Sequence, residues 1–172
     1  MASNNKTTIT AEPGKQELFI TREFDAPREL VFKVMNDPKY MGRWLGPREY
    51  KMTVDKYEAK SGGAYRYIHS DDKGNSFGFH GVIHEISFPE RAIQTFEFEG
   101  LPEKGHTSLE TARFEELPGG RTRVKIQSVF QSVQDRDGMM QSDMERGVTD
   151  SHARLDDLLE EFKKQPGALA AE

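Results

Sequence analysis

Met140-Gln141-Ser142-Asp143-Met144-Glu145-Arg146-Gly147-Val148-Thr149-Asp150-Ser151-His152-Ala153-Arg154-Leu155-Asp156-Asp157-Leu158-Leu159-Glu160-Glu161-Phe162 is the stretch that decides the fold. Met140, Met144, Val148, Ser151, Leu155, Leu158 and Phe162 recur at intervals of 4, 4, 3, 4, 3 and 4. That spacing lays one apolar stripe along a helix, with charged residues on the other faces. Gly147 interrupts it at a cost of roughly 1 kcal/mol relative to alanine, which favours a kink. Gln165-Pro166-Gly167 ends the helix.

Everything between Glu17 and this helix reads as strands, apart from one helical insert. Glu17–Asp25 alternates Leu18, Ile20 and Phe24 on one face, with Arg22 among them. Two short helices follow. Pro27 suits the first turn of one, and Asp37-Pro38 supplies a cap and first-turn proline for the other, which runs to Trp44 before Gly46-Pro47. Six further strands are expected at Tyr50–Lys60, Ala64–Ser70, Ser76–Phe88, Arg91–Glu99, His106–Glu116 and Arg121–Val133. Asp71-Asp72-Lys73-Gly74-Asn75 and Pro118-Gly119-Gly120 are turn sequences. Short connections make neighbours antiparallel, so the fold class is α+β, with seven strands in a meander. Residues 1–15 and 165–172 are expected as loose tails around one domain at 16–164.

The long helix is the only element large enough to cover such a sheet. A strongly curved sheet cannot meet a straight helix across its whole width, and the gap takes side chains or a guest. Tyr65 with Tyr67, Phe77 with Phe79, and Phe96 with Phe98 each share a strand face. Met139, Met140 and Met144 stand at the start of the helix and suit an adaptable apolar wall.

Composition narrows the partners. The chain has 172 residues, 31% of them charged, and a formal net charge of −5. No cluster of Lys and Arg marks a phosphate-binding surface, so no nucleic-acid partner is expected. Arg121, Arg123 and Lys125 read as a solvated strand face. There is no cysteine, which removes disulfides and thiolate chemistry. No stretch reaches the length of a membrane span and no apolar leader opens the chain, so a cytoplasmic protein is expected.

Catalytic signals are weak. His80 and His84 are four apart, but on a strand that separates them by roughly 13 Å, too far for one metal ion. Glu85, Glu110 and the histidines can serve acid–base chemistry only if they face the cavity. No nucleophile motif or phosphate loop is present. No catalytic residue, metal or cofactor is assigned.

Several local motifs taken together resemble the activator of heat-shock-protein-90 ATPase homologue family, within the START-like (SRPBCC) superfamily. They are Ile20-Thr21-Arg22-Glu23-Phe24-Asp25-Ala26-Pro27 with Val31-Phe32, and Asp37-Pro38 leading to Arg43-Trp44-Leu45-Gly46-Pro47. Gly62-Gly63-Ala64-Tyr65-Arg66-Tyr67 and Gly81-Val82-Ile83-His84-Glu85-Ile86 with Pro89-Glu90-Arg91 and Thr95-Phe96 complete them. The resemblance covers residues 17–162. It implies a helix-grip fold with a cavity between sheet and C-terminal helix. The expected function is binding of a small apolar or aromatic molecule, without catalysis. The cavity candidates are Trp44, Tyr65, Tyr67, Phe79, Phe96, Phe98, Met140, Met144 and Leu155. The alternatives are a chaperone-ATPase regulator or stress-response interaction protein, with a chaperone as partner, and a cavity enzyme of cyclase or hydrolase type. No motif specifies an oligomeric state.

Overall fold

The computed structural model describes residues 4–169; of the tails expected at 1–15 and 165–172, residues 1–3 and 170–172 lie outside the described residues. The elements are β1 (Thr8–Thr10), β2 (Glu17–Phe24), α1 (Arg28–Asn36), α2 (Pro38–Trp44), β3 (Lys51–Tyr57), β4 (Ala64–Ser70), β5 (Ser76–Ser87) and β6 (Arg91–Phe98). They continue with β7 (Thr107–Leu117), β8 (Arg121–Val129), α3 (Val133–Gln141), α4 (Met144–Lys164) and a 3-10 turn at Pro166–Leu169. All the strands form one antiparallel sheet in the order β1-β2-β8-β7-β6-β5-β4-β3. β3 to β8 are a meander, and β2 closes it against β8 from the far side of the α1–α2 insert. Register shifts at Val54/Lys56 and Ile83/Glu85 add bend and twist to the sheet. The result is an α+β helix-grip fold.

Three details differ from the sequence reading. The sheet has eight strands, not seven: Thr8–Thr10, placed above in a loose tail, pairs with Phe19–Thr21. Three residues are too few to show a period, although Thr-Ile-Thr is good strand chemistry. The last strand ends at Val129, and Val133 instead opens α3, which Ser132 caps by accepting the Asp135 amide at 3.0 Å. The terminal helix is two helices, separated at Ser142-Asp143. Ser142 has extended backbone and its hydroxyl donates to the Met139 carbonyl at 2.6 Å, closing α3 one turn before the apolar stripe does. Gly147, by contrast, lies inside α4 without breaking it.

The buried stripe of α4 is Ser151, His152, Leu155, Leu158, Leu159 and Phe162. Its apolar members pack with Phe24, Val31, Val34, Tyr40, Trp44, Phe114 and Val124 at one end of the sheet. A second cluster joins Leu18, Ile20 and Phe130 to Met139, Met140, Met144 and Val148. A third holds Tyr65, Tyr67 and Ile83 beneath Leu45, Met52 and Tyr57.

Polar contacts fix α4 over the sheet. Arg22, inward-facing on β2, pairs with Asp156. His152 Nδ1 shares a hydrogen bond with the Thr7 hydroxyl at 2.8 Å. At the other side, Gly46 gives its amide to Ser151 Oγ at 2.8 Å and accepts from Arg154 at 2.9 Å. Gly46 has φ of 99° and the His69 ring lies against it, so a side chain at 46 meets both left-handed strain and a steric clash.

Candidate functional site

Strand register places the inner-face residues in rows. One row runs Ile83, Gln94, Glu110, Ser128, Leu18 across β5, β6, β7, β8 and β2. Beside it, Phe96 faces Ser108, and on the other side Ala92 faces Ala112. Gly81, opposite Tyr65 on β4, has no room for a side chain: a Cβ there would strike the Thr95 carbonyl and the Tyr65 hydroxyl. Small residues therefore flank the row, Ser108 on one side and Ala92 and Ala112 on the other. Ala92, Gln94, Glu110 and Ala112 stay only half-buried on this face, which leaves the concave side of the sheet open beside them.

Aromatic rings wall this hollow on the β4–β6 side. Tyr65 and Tyr67 stack with centroids 6.2 Å apart, Tyr67 and Phe79 at 5.2 Å, and Phe79 and Phe96 at 5.6 Å, with interplanar angles of 14°, 23° and 27°. Phe98 stands 5.3 Å from Phe79. Phe79, Phe96 and Phe98 point inward yet remain half-buried, as do Met140 and Met144 on the helix side. Inward-facing residues that keep accessible surface describe an open trough.

The floor of the trough carries one carboxyl. The Gln94 amide donates to Glu110 Oε2 at 3.2 Å. Loss of water pushes the Glu110 carboxyl above the ordinary range, and the Gln94 amide offsets only part of that. Burial raises the phenols of Tyr65 and Tyr67, with the neighbouring Glu110 a lesser cause in both. The Tyr65 hydroxyl donates to the Thr95 carbonyl at 2.5 Å. The Tyr67 hydroxyl has no hydrogen-bond partner among the described residues.

Of the residues nominated from sequence, Phe79, Phe96, Phe98, Tyr65 and Tyr67 come together on this wall. Met140 and Met144 stand on the opposite side with Leu18, Ile20 and Phe130. Trp44 and Leu155 do not join them: at 6% and 0% exposed, both are spent on core packing, and the Trp44 indole donates to the Val34 carbonyl at 3.3 Å. Gln94, Ser108 and Ser128 were not foreseen, and Glu110 was named without a face. The parity of Phe114 and Ala112 puts even-numbered β7 residues inside, but Leu109, exposed on the outer face, masks that signal.

Other polar groups are committed elsewhere. Glu85 holds Arg91 in a two-pronged contact at 2.6 and 2.9 Å on the outer face. His80 faces outward between Glu97 at 2.7 Å and Glu99 at 3.0 Å. Arg121 pairs with Glu23 and Asp25, and Arg123 with Glu23 and Glu115. Beside α4, a shallow cleft brings Arg43 and Arg48 to Glu161 and Asp157 at 2.7 and 3.3 Å, and Arg154, the third cation of its lining, donates to the Gly46 carbonyl. Among the described residues, no three His, Asp or Glu side chains are placed to hold a metal ion. No helix is long and apolar enough to cross a membrane.

Solved structures share this architecture. A protein from Rhodobacter sphaeroides is 24% identical, with 90% of this chain and 97% of that chain covered and a TM-score of 0.79. One from Arthrobacter aurescens is 25% identical, with 90% and 91% covered and a TM-score of 0.80. The AHSA1 protein from Silicibacter pomeroyi is 19% identical over 83% of this chain and 96% of that one, with a TM-score of 0.68. No curated protein is a significant match. The family model described as Activator of Hsp90 ATPase homolog 1-like protein matches residues 25–160, most of the chain. The chain belongs to the Activator of Hsp90 ATPase homolog 1-like protein family.

Proposed function

We propose that the chain binds a small apolar or aromatic molecule in the trough between the sheet and the C-terminal helices. One observation carries the reading: Ala92, Gln94, Glu110 and Ala112 on the inner face stay half-buried, as do Phe79, Phe96 and Phe98, which point inward around them. A folded domain closes such a gap with side chains unless something else occupies it. The reading is binding rather than catalysis because Glu110 is hydrogen-bonded to Gln94 and to neither neighbouring serine, so no base-activated nucleophile is assembled.

The neutral fluorophore N-phenyl-1-naphthylamine tests this. It is expected to bind with a blue-shifted, enhanced emission and a Kd on the order of micromolar, the range open to a ligand of that size. Ala112→Phe, which fills the floor, is expected to weaken binding by about 10-fold or more with the melting transition retained. Equal binding by the filled variant places the probe elsewhere and refutes the reading.

A second reading, regulation of a chaperone ATPase, has its own observation. Val82, Leu109 and Val129, at 51%, 46% and 37% exposed, lie in one outer-face row with Thr95. An apolar row on the solvent side of a sheet suits a protein partner. An ATPase assay with the chaperone decides between the readings.

A further inference from the structure

The trough has a chemistry as well as a shape. Glu110 sits at the middle of its floor, between Gln94 on β6 and Ser128 on β8. One carboxyl oxygen accepts from Gln94, and the other has no protein partner among the described residues. No described cation lies at ion-pair distance from it. The buried cations are committed elsewhere, Arg22 to Asp156 and the Glu23 carbonyl, and Arg136 to Asp137 and the Glu12 and Glu17 carbonyls.

Each charge class of guest can be weighed against this arrangement. An anionic guest, such as a fatty-acid carboxylate, would meet Glu110 with no cation to receive it. A cationic guest would need either an ionised Glu110, which burial disfavours, or ring faces, where the negative part of the aromatic quadrupole lies. The faces of Tyr65, Tyr67, Phe79 and Phe96 are turned on one another in the stacked row, so the row offers its positive ring edges instead. Ring edges suit a flat π-system or an oxygen lone pair. Burial raises the Glu110 carboxyl and so favours its protonated form, in which the unpartnered oxygen can donate. The Tyr67 hydroxyl is a second free donor on the same face.

We propose that the guest is a flat, uncharged aromatic compound bearing a carbonyl-type oxygen, which accepts a hydrogen bond from Glu110. This specifies the chemistry of the binding function above and rests on that reading. The Glu110 proton stays on Glu110, and no bond is made or broken.

Four probes of one shape test it: 2-acetylnaphthalene, its alkene isostere 2-isopropenylnaphthalene, 2-naphthoate, and 2-(aminomethyl)naphthalene. Each competes with N-phenyl-1-naphthylamine at pH 7. The ketone is expected to bind ~10-fold more tightly than the alkene, the net yield of one neutral hydrogen bond. Both charged probes are expected to bind more weakly than the alkene. Glu110→Leu is expected to erase the ketone preference, while Glu110→Gln, whose amide still donates, retains most of it. Equal affinities for ketone and alkene in the wild-type protein overturn the proposal, and that comparison needs no variant to fold. Tightest binding by the amine, abolished in Glu110→Gln, also overturns it and makes the carboxyl a cation site. Failure of the fluorophore and all four probes to bind refutes the trough as a binding site, and this proposal with it.

Discussion

Acidification from pH 7 to pH 4 is expected to remove about 3 kcal/mol of folding stability for each of two buried histidines. His152 lies in the core with its ring edge against Phe24, centroids 5.5 Å apart, and its Nδ1 on the Thr7 hydroxyl. Burial, reinforced by the Arg22 charge, pushes its pKa down to about 3. His69 lies under Gly46 among Tyr50, Tyr67 and Phe79, and burial with the Arg154 charge lowers it to about 4. An unfolded histidine takes its proton near pH 6.5. Between that value and the folded ones, the unfolded chain binds more protons, so stability falls as the pH descends through the window. The two histidines are expected to contribute no slope above about pH 7. Glu99, held at about 2 by Arg66 and His80, adds to the loss only below its own unfolded value near 4.5. Glu110 and Asp156 act the other way, because burial raises both and protonation in the folded state favours folding. Urea midpoints measured from pH 4 to pH 8 check this. His152→Phe and His69→Phe are each expected to flatten the acid limb, and an unchanged limb in both variants contradicts the assignment.

Asp156→Ala is expected to cost about 3–5 kcal/mol, the usual penalty for stranding one partner of a buried ion pair. Arg22 is 5% exposed, and its Nε already lacks a partner. Its remaining contacts, the Glu23 carbonyl at 2.8 Å and the Phe24 ring at 5.2 Å, cannot replace a carboxylate. The double variant Arg22→Met with Asp156→Leu removes both charges and is expected to recover most of the loss, since an apolar pair escapes the desolvation cost. Chemical denaturation of the two single variants and the double variant measures the coupling. Additive losses would mean that the pair does not hold α4 to β2.

Much of this fold could be read from the chain because its signals are local. The 3-4 spacing from Val148 to Phe162 gives α4, Asp37-Pro38 caps α2 through the Lys39 amide at 3.0 Å, and Asp71 closes the β4–β5 turn by accepting from Lys73 and Asn75. What escaped depends on contacts distant in sequence. β1 is a strand because Phe19–Thr21 lies beside it. The break at Ser142-Asp143 is invisible to periodicity because Met140 and Met144 keep the helical interval on both sides of it. The wall of the site was legible because aromatic pairs share a strand face by parity alone. The floor was not, since Glu110 meets Gln94 and Ser128 only through register, and the bulge at Ile83/Glu85 resets the parity of β5. Trp44 and Leu155 were drawn in by residue type, and packing used their surface instead.

The central claim is that the inner face over Ala92, Glu110 and Ala112 is open to a guest. Methyl-resolved NMR of protein labelled at Ala and Met, titrated with 2-acetylnaphthalene, tests it most directly. The account predicts saturable shifts at the Ala92, Ala112, Met140 and Met144 methyls, with Ala26 in the sealed core unmoved. Shifts confined to methyls outside the trough, or none at a concentration where the compound binds, would contradict it.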